Sequence, residues 1–344
     1  MSVAPRTITH TDARRPRTGD DQATALRRMV ATMGEGTTHR ARPDDEHPVS
    51  PTPPAPPVIA PQPRLARAIA VASGKGGVGK TNLCVNLCVH LARLGVRTTL
   101  LDADLGLANA DVLCNVGVRR HIGHVIDGAS ALREIAVDAP GGFRLVPGGA
   151  GVAALADLPE PQLAQLLRDL GALECEADAL IIDCGAGVGH VVTSFLSASD
   201  HALVITTPEP TAIADAYALI KCVLPAATSA GARGAPGCPS ATRTRSVELF
   251  VNQAASRRDA ERVHARINGV CERFLGASVA LAGWAPHDRR VPEAVRAREP
   301  FALRHPNCGA SKGVATLAAY VRDMYGFSGS ETARSGFVRR MIGI

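Results

Sequence analysis

The sequence lacks the features that mark several common classes of protein. No run approaches the roughly eighteen consecutive apolar residues of a membrane-spanning helix. The first residues, which include Arg6, Asp12, Arg14 and Arg15, have no apolar stretch of the secretory kind. A cytoplasmic location is therefore expected. Nine cysteines, at 84, 88, 114, 175, 184, 222, 238, 271 and 308, form no CxxC pair and show no metal-ligand spacing. Reduced and mostly buried thiols are expected in place of a metal or redox site. His121 and His124 form an HxxH beside Ile122 and Gly123 without a helical zinc signature, so a structural or surface role is expected. There is no internal repeat, no long Lys/Arg run and no helix-turn-helix pattern, and no specific nucleic-acid partner is expected. A formal net charge of +6 permits contact with an anionic surface but is too mild to choose one.

What is present suits one large α/β domain with appended segments. Hydrophobic residues make up 46% of the 344, enough for a sizeable core, while 24 prolines gathered in patches imply stretches outside it. Four regions follow. Residues 1–34 are polar and arginine-rich, except that Leu26, Met29, Val30 and Met33 repeat at helical spacing, with Asp20 or Asp21 able to cap and Gly34 able to stop a short helix. So short a helix is marginal alone in water and is expected to fold against a partner. Residues 35–64 contain PVSPTPPAPPVIAPQP, too proline-dense for helix or sheet, and read as an extended linker. Residues 65–325 alternate apolar strand-like runs with helical segments, which predicts a doubly wound, mostly parallel sheet flanked by helices. The predicted strands are Ala68–Ala72, Arg97–Asp102, Phe143–Val146, Ala179–Asp183, Ala202–Thr206, Val247–Asn252 and Ser278–Trp284, and the Ala/Gly/Ser/Pro-rich stretch 225–245 reads as an insertion. Residues 326–344 end in RSGFVRRMIGI, an amphipathic helix with Phe337, Val338, Met341 and Ile342 on its apolar side and Arg339 and Arg340 opposite.

Gly74-Lys75-Gly76-Gly77-Val78-Gly79-Lys80-Thr81 fits GxxxxGK[ST] and lies between an apolar strand and a helix, where a phosphate-binding loop must lie. Its glycines let backbone N–H groups point inward at phosphates, and the helix N-terminus adds favourable partial charge. Lys80 is expected to reach the β- and γ-phosphates, Thr81 to place its hydroxyl on Mg²⁺, and Asn82 to join the nucleotide contacts. Leu180-Ile181-Ile182-Asp183 is an apolar strand ending in an acid, the arrangement in which a carboxylate holds Mg²⁺ through water.

The second lysine in KGGVGKT, Lys75, resembles the deviant Walker A motif of the MinD/ParA superfamily. The resemblance implies ATP and Mg²⁺ as ligands and an ATP-dependent homodimer in which Lys75 crosses the interface to touch the partner's nucleotide. Asp102-Ala103-Asp104-Leu105-Gly106-Leu107-Ala108-Asn109 resembles the family's DxDxGxxN stretch, which makes Asp104 the residue that orients or deprotonates water and Asp102 a supporting metal-side carboxylate. Cys184 departs from the threonine usual after the Walker B aspartate. Asn252 and Pro286 match positions that hold adenine. Iron–sulfur carriers of the superfamily use a CxxC, which is absent here.

Within the superfamily, Asp21-Gln22-Ala23-Thr24-Ala25-Leu26-Arg27 resembles the DQAxxLR element of the FlhG (YlxH) family, and PEPTAIADAYALIK at 208–221 resembles a core stretch of it. The resemblance implies control of flagellar number and placement. It also implies contact of Asp21, Gln22, Leu26 and Arg27 with the signal-recognition-particle-type GTPase FlhF, with flagellar C-ring proteins as further partners. The C-terminal GFVRRMIG resembles a membrane-targeting helix, which predicts reversible binding at the cytoplasmic face of the inner membrane through Phe337, Val338, Met341 and Ile342, with Arg339 and Arg340 on anionic headgroups. Packing of this helix on the core is the competing expectation, and a septum-positioning MinD or a partition ParA is the rival function.

Overall fold

The structure, a computed structural model, describes residues 65–104, 108–149, 160–224, 246–326 and 336–341. The segment expected to form an N-terminal helix, with Asp21, Gln22, Leu26 and Arg27, the proline-rich stretch 35–64, the stretch 225–245 and Ile342 lie outside the described residues.

Eight strands form one sheet: β1 (Arg67–Ser73), β2 (Thr98–Ala103), β3 (Val137–Ala139), β4 (Phe143–Val146), β5 (Ala179–Ala186), β6 (His201–Thr206), β7 (Ser246–Ala254) and β8 (Ala280–Pro286). Their order is β3-β4-β2-β5-β1-β6-β7-β8, and every pairing is parallel except β3 with β4. All seven strands read from the sequence are present, β4 with the expected bounds and the others with at least one end moved by one to three residues. The eighth, β3, was not anticipated. It is three residues long, too short for a periodic signal, and is joined to β4 through Pro140, Gly141 and Gly142, where both glycines take positive φ (95° and 87°).

Side-chain alternation divides the core between two faces of the sheet. Along β1, Ala68, Ala70 and Ala72 face one layer, with Ile69 and Val71 facing the other; along β5 the split is Leu180, Ile182 and Cys184 against Ala179 and Ile181. The principal helices are α1 (Lys80–Arg93), α2 (Glu160–Glu176), α3 (His190–Ala198), α4 (Pro210–Val223), α5 (Arg257–Leu275) and α6 (Gly309–Tyr325). Buried residues of α1 and α6 cover one face; those of α2, α3, α4 and α5 cover the other. Cys84, Cys88, Cys114, Cys184, Cys271 and Cys308 are buried free thiols, and Cys175 and Cys222 are exposed. No described helix is long and apolar enough to cross a membrane.

The C-terminal segment packs on the core, the second of the two arrangements expected for it. Phe337–Met341 forms one short helix whose Phe337 is 0% exposed and stacks on Phe195 with ring centroids 6.1 Å apart. Val338 and Met341 pack on the same core, and the buried carboxylate of Glu174 accepts the backbone N–H groups of Phe337 (2.5 Å) and Val338 (3.3 Å). Arg340 donates to the Ala198 carbonyl (2.6 Å) and to Asp200 (2.9 Å), so its charge is met by protein. The apolar side was legible in the sequence, but its cover was not: Glu174 and Asp200 lie more than 130 residues away in the chain.

His90 on α1 is buried, with Nε2 3.1 Å from Ser311 Oγ on α6, and burial together with the nearby Arg93 lowers its pKa from 6.5 to about 4. The unfolded chain therefore takes up a proton at this site between pH 6.5 and about 4 that the folded chain refuses. Stability from this site is full above pH 6.5 and lost as pH falls toward 4. Thermal melting across that interval is expected to show a falling Tm in the wild type and a shallower fall in His90→Gln.

Candidate active site

The strand order brings the ends of β2, β5 and β1 side by side, the position at which parallel sheets of this kind bind ligands. Asp102 pairs in register with Asp183, and Val71 pairs with Asp183 from the other side. The loop after β1 turns through Gly77 (φ 82°) and Gly79 (φ 90°), and α1 begins at Lys80. Side chains are excluded at two places. A Cβ on Gly74 would fall 2.2 Å from the Asp215 carbonyl oxygen, and one on Gly79 would fall 2.5 Å from Asn252 Nδ2. Asn252 donates from that nitrogen to the Val78 carbonyl (2.8 Å), and Ser73 Oγ donates to the Lys75 carbonyl (2.9 Å), so the loop is tied at both ends.

Lys80, 7% exposed, donates to Asp183 Oδ1 at 2.7 Å and lies 3.4 Å from Asp104 Oδ2. Burial alone would lower the lysine pKa, but the fields of Asp183 and Asp104 outweigh it and raise the pKa, so Lys80 is protonated. Asp183 is fully buried, which pushes its carboxyl pKa up, while Lys80 and the Thr81 hydroxyl pull against that shift. Its Oδ2 is buried without a hydrogen-bond partner among the described residues. Together with Thr81, this oxygen fits a Mg²⁺ ion whose remaining ligands are water and phosphate. The same economy of protein ligands explains why no group of three or more His, Cys, Asp or Glu poised for a metal occurs among the described residues.

Asp102 is placed differently from its expected metal-side role. Its Oδ1 accepts the Asp104 N–H (3.2 Å), and its Oδ2 accepts those of Asn109 (3.0 Å) and Ala110 (3.1 Å). It anchors the backbone at Asp104, Asn109 and Ala110. Burial first, and then the neighbouring Asp183, raise its pKa to about 7 against the pull of these hydrogen bonds. A cavity of about 860 Å³ opens above Lys80 and Thr81, lined also by Asp104, Asn109, Gly185 and His190. A second, of about 440 Å³, is lined by Asn82, Asn252, Gln253, Pro286, Asp288 and Phe301. Gly77, Gly79 and Asn82 border both, so the two are compartments of one site: a larger one over Lys80 and a smaller one beside Pro286.

Comparison with known proteins gives the same reading. Residues 64–227 match a family model described as ParA: NUBPL iron-transfer P-loop NTPase. Antiactivator FleN of Pseudomonas aeruginosa is 37% identical over 253 residues, 74% of this chain and 85% of FleN. The chain belongs to the MinD/ParA family of P-loop ATPases. Flagellum site-determining protein YlxH of Helicobacter pylori is 42% identical over 154 residues, spanning 44% of this chain and 52% of YlxH. MinD of Pyrococcus horikoshii, solved with Mg-ADP, shares the fold at a TM-score of 0.60 and 22% identity, over 78% of this chain and 100% of that one.

Against that family background Lys75 occupies an unexpected position. In the single chain its ammonium donates to Glu209 (2.8 Å) and Thr211 Oγ (3.1 Å) at the start of α4, with the side chain 41% exposed. The lysine expected to act on a partner subunit is held at home, on Glu209 and Thr211. The sequence reading named Asn109 only as the last residue of the DxDxGxxN stretch and did not single out Ser73, His190, Gln253 or Asp288. Of these four Asp288 alone carried a signal, its place two residues after Pro286; it accepts the Gly309 N–H (2.8 Å) and fixes the wall of the compartment beside Pro286 to α6.

Asp102→Asn would put an amide N–H against one of three backbone N–H groups, a loss of about 1.5 kcal/mol in hydrogen bonding. Hydrogen exchange at the amides of 104, 109 and 110 is expected to quicken roughly 10-fold, which corresponds to that energy. Unchanged exchange would remove Asp102 from the anchoring role.

Proposed function

We propose that this chain is an ATP-operated dimerisation switch of the flagellar site-determining kind. The observation that carries the reading is the convergence of Lys80, Thr81, Asp104 and Asp183 below a cavity bordered by the glycines of the loop that also contains Lys75. The names of two similar proteins, an antiactivator and a flagellum site-determining protein, support the biological assignment.

In this reading the loop from Gly74 to Thr81 cradles the triphosphate of ATP and Lys80 neutralises its terminal phosphates. Thr81 and Asp183 hold Mg²⁺, which when bound screens the phosphate charge. Asp104, beside Lys80 and facing the cavity, orients the attacking water and accepts its proton. Lys75 leaves Glu209 and reaches the nucleotide of a second copy, so that both sites are completed only in the dimer. Asn252 and Pro286 wall the compartment that takes the base.

The tails convert the dimer into a positional signal. Gln22, with Asp21, Leu26 and Arg27, acts on an FlhF-like GTPase, and flagellar switch components are further partners. The C-terminal helix reaches an anionic membrane at the cytoplasmic face of the inner membrane. Since Phe337 is buried against Phe195 and Arg340 is paired with Asp200, that step requires release from the core. Two released helices in a dimer bind with the avidity that one short helix lacks.

Sedimentation with vesicles containing anionic phospholipid tests the reading in the full chain. With ATP, Asp104→Ala is expected to accumulate as a vesicle-bound dimer, while a chain lacking 336–344 dimerises but stays in the supernatant. A monomeric Asp104→Ala, or a truncated chain that still sediments, would contradict it. For the N-terminal segment, a peptide of residues 14–34 is expected to speed GTP hydrolysis by FlhF, with Gln22→Ala inactive; no stimulation would exclude that role.

A further inference from the structure

The compartment beside Pro286 contains a residue without a task so far. Gln253 follows Asn252 near the end of β7 and has φ 57°, in the left-handed region. Among the described residues only Asn115 and Arg298 share a positive φ without being glycine, and neither lines either compartment, whereas Gln253 does. The cause is visible in the pairing of β7 with β8. Val251 pairs with Trp284 and Ala254 with Pro286, so Asn252 and Gln253 together face the single residue Ala285. This is a bulge with one extra residue, a feature that re-aims side chains beside active sites. A glutamine held in this conformation is strained, and such strain persists where the surrounding structure imposes it and gathers at ligand sites.

The two adjacent amides are in different situations. Asn252 Nδ2 is committed to the Val78 carbonyl and so fastens the strand to the phosphate loop. The Gln253 side chain makes no hydrogen bond among the described residues. It is an exposed carboxamide, with one donor and one acceptor group unmet, at the wall of a compartment of about 440 Å³ that also holds Pro286 and Phe301. A primary carboxamide matches one edge of adenine in particular: its oxygen accepts from the N6 amine while its N–H donates to N7. Guanine presents O6 and N7 there, two acceptors, and would oppose oxygen to oxygen.

We propose that Gln253 is a specificity-determining residue that reads the N6/N7 edge of adenine, with the bulge in β7 setting its direction. The proposal rests on the nucleotide reading of the site and adds the means by which one purine is chosen. Asn252 positions the loop and Gln253 distinguishes the base.

The test uses the full chain and three probes: ATP, 7-deaza-ATP, which differs from ATP only in lacking the N7 acceptor, and GTP. Equilibrium binding is measured for wild type, Gln253→Ala and Gln253→Asn, the last a shorter amide that tolerates a positive φ. Wild type is expected to bind 7-deaza-ATP and GTP at least about 10-fold more weakly than ATP, the scale of one bidentate amide–adenine pair. Both variants are expected to bind ATP and 7-deaza-ATP within about 2-fold of each other, and to discriminate less against GTP, with their melting temperatures checked against wild type. A 7-deaza penalty that persists in both variants, or is absent from wild type, would overturn the role of Gln253 and leave the nucleotide site standing. Failure of wild type to bind ATP at all would overturn the nucleotide reading itself.

Discussion

The site is organised around one buried ion pair, Lys80 with Asp183 at 2.7 Å, in which the side chains are 7% and 0% exposed. Bringing two charges out of water is costly, and such a pair is a poor way to stabilise a fold when an apolar pair of like volume would serve as well or better. Its presence therefore points to use. The lysine is held protonated, at the first turn of α1, where a phosphate can take over its charge. Asp183 presents a second oxygen with no hydrogen-bond partner among the described residues, as a carboxylate awaiting a cation would. Everything nearby serves to hold this pair in place: β5 between β2 and β1, the glycines that let the loop pass close to Asp215 and Asn252, and the Asp102 anchor beside it.

Two further interactions hold parts of the chain back. Glu209 and Thr211 keep Lys75 on its own subunit, and Glu174 with Asp200 keeps the C-terminal helix on the core. Both contacts join segments far apart in sequence, and both occupy groups that the proposed function needs elsewhere. A switch needs such contacts, because a ligand shifts an equilibrium only by the difference between its interactions with the two states. The Lys75 contact is exposed and worth little on its own, so a nucleotide-bound partner can displace it readily. The C-terminal contact buries an aromatic ring and is the firmer of the two.

Much of the fold was legible in the sequence because its signals are local. Apolar strand runs and the GxxxxGK[ST] spacing are short-range patterns, and they located the strands, the loop, Lys80, Thr81 and the end of β5. The remainder depends on contacts between distant residues. Nothing near Asp102 in the chain shows that its oxygens are taken by the amides of 104, 109 and 110, since that follows from how the loop folds back. The amphipathic pattern of Phe337 to Met341 shows that one side seeks cover, but membrane and protein core satisfy the pattern equally. β3 is too short for periodicity, and the bulge at Asn252 and Gln253 arises from a count of residues between two strands, which neither strand reveals alone.

The central claim is that the Lys80–Asp183 pair is a nucleotide and magnesium site in waiting. Calorimetric titration of the wild-type chain and of Asp183→Asn with a non-hydrolysable ATP analogue, with and without Mg²⁺, tests it most directly. The account predicts one bound nucleotide per chain, with wild-type affinity raised by Mg²⁺ and the magnesium effect abolished in Asp183→Asn. Binding that is absent, or that responds to Mg²⁺ equally in both proteins, would contradict it.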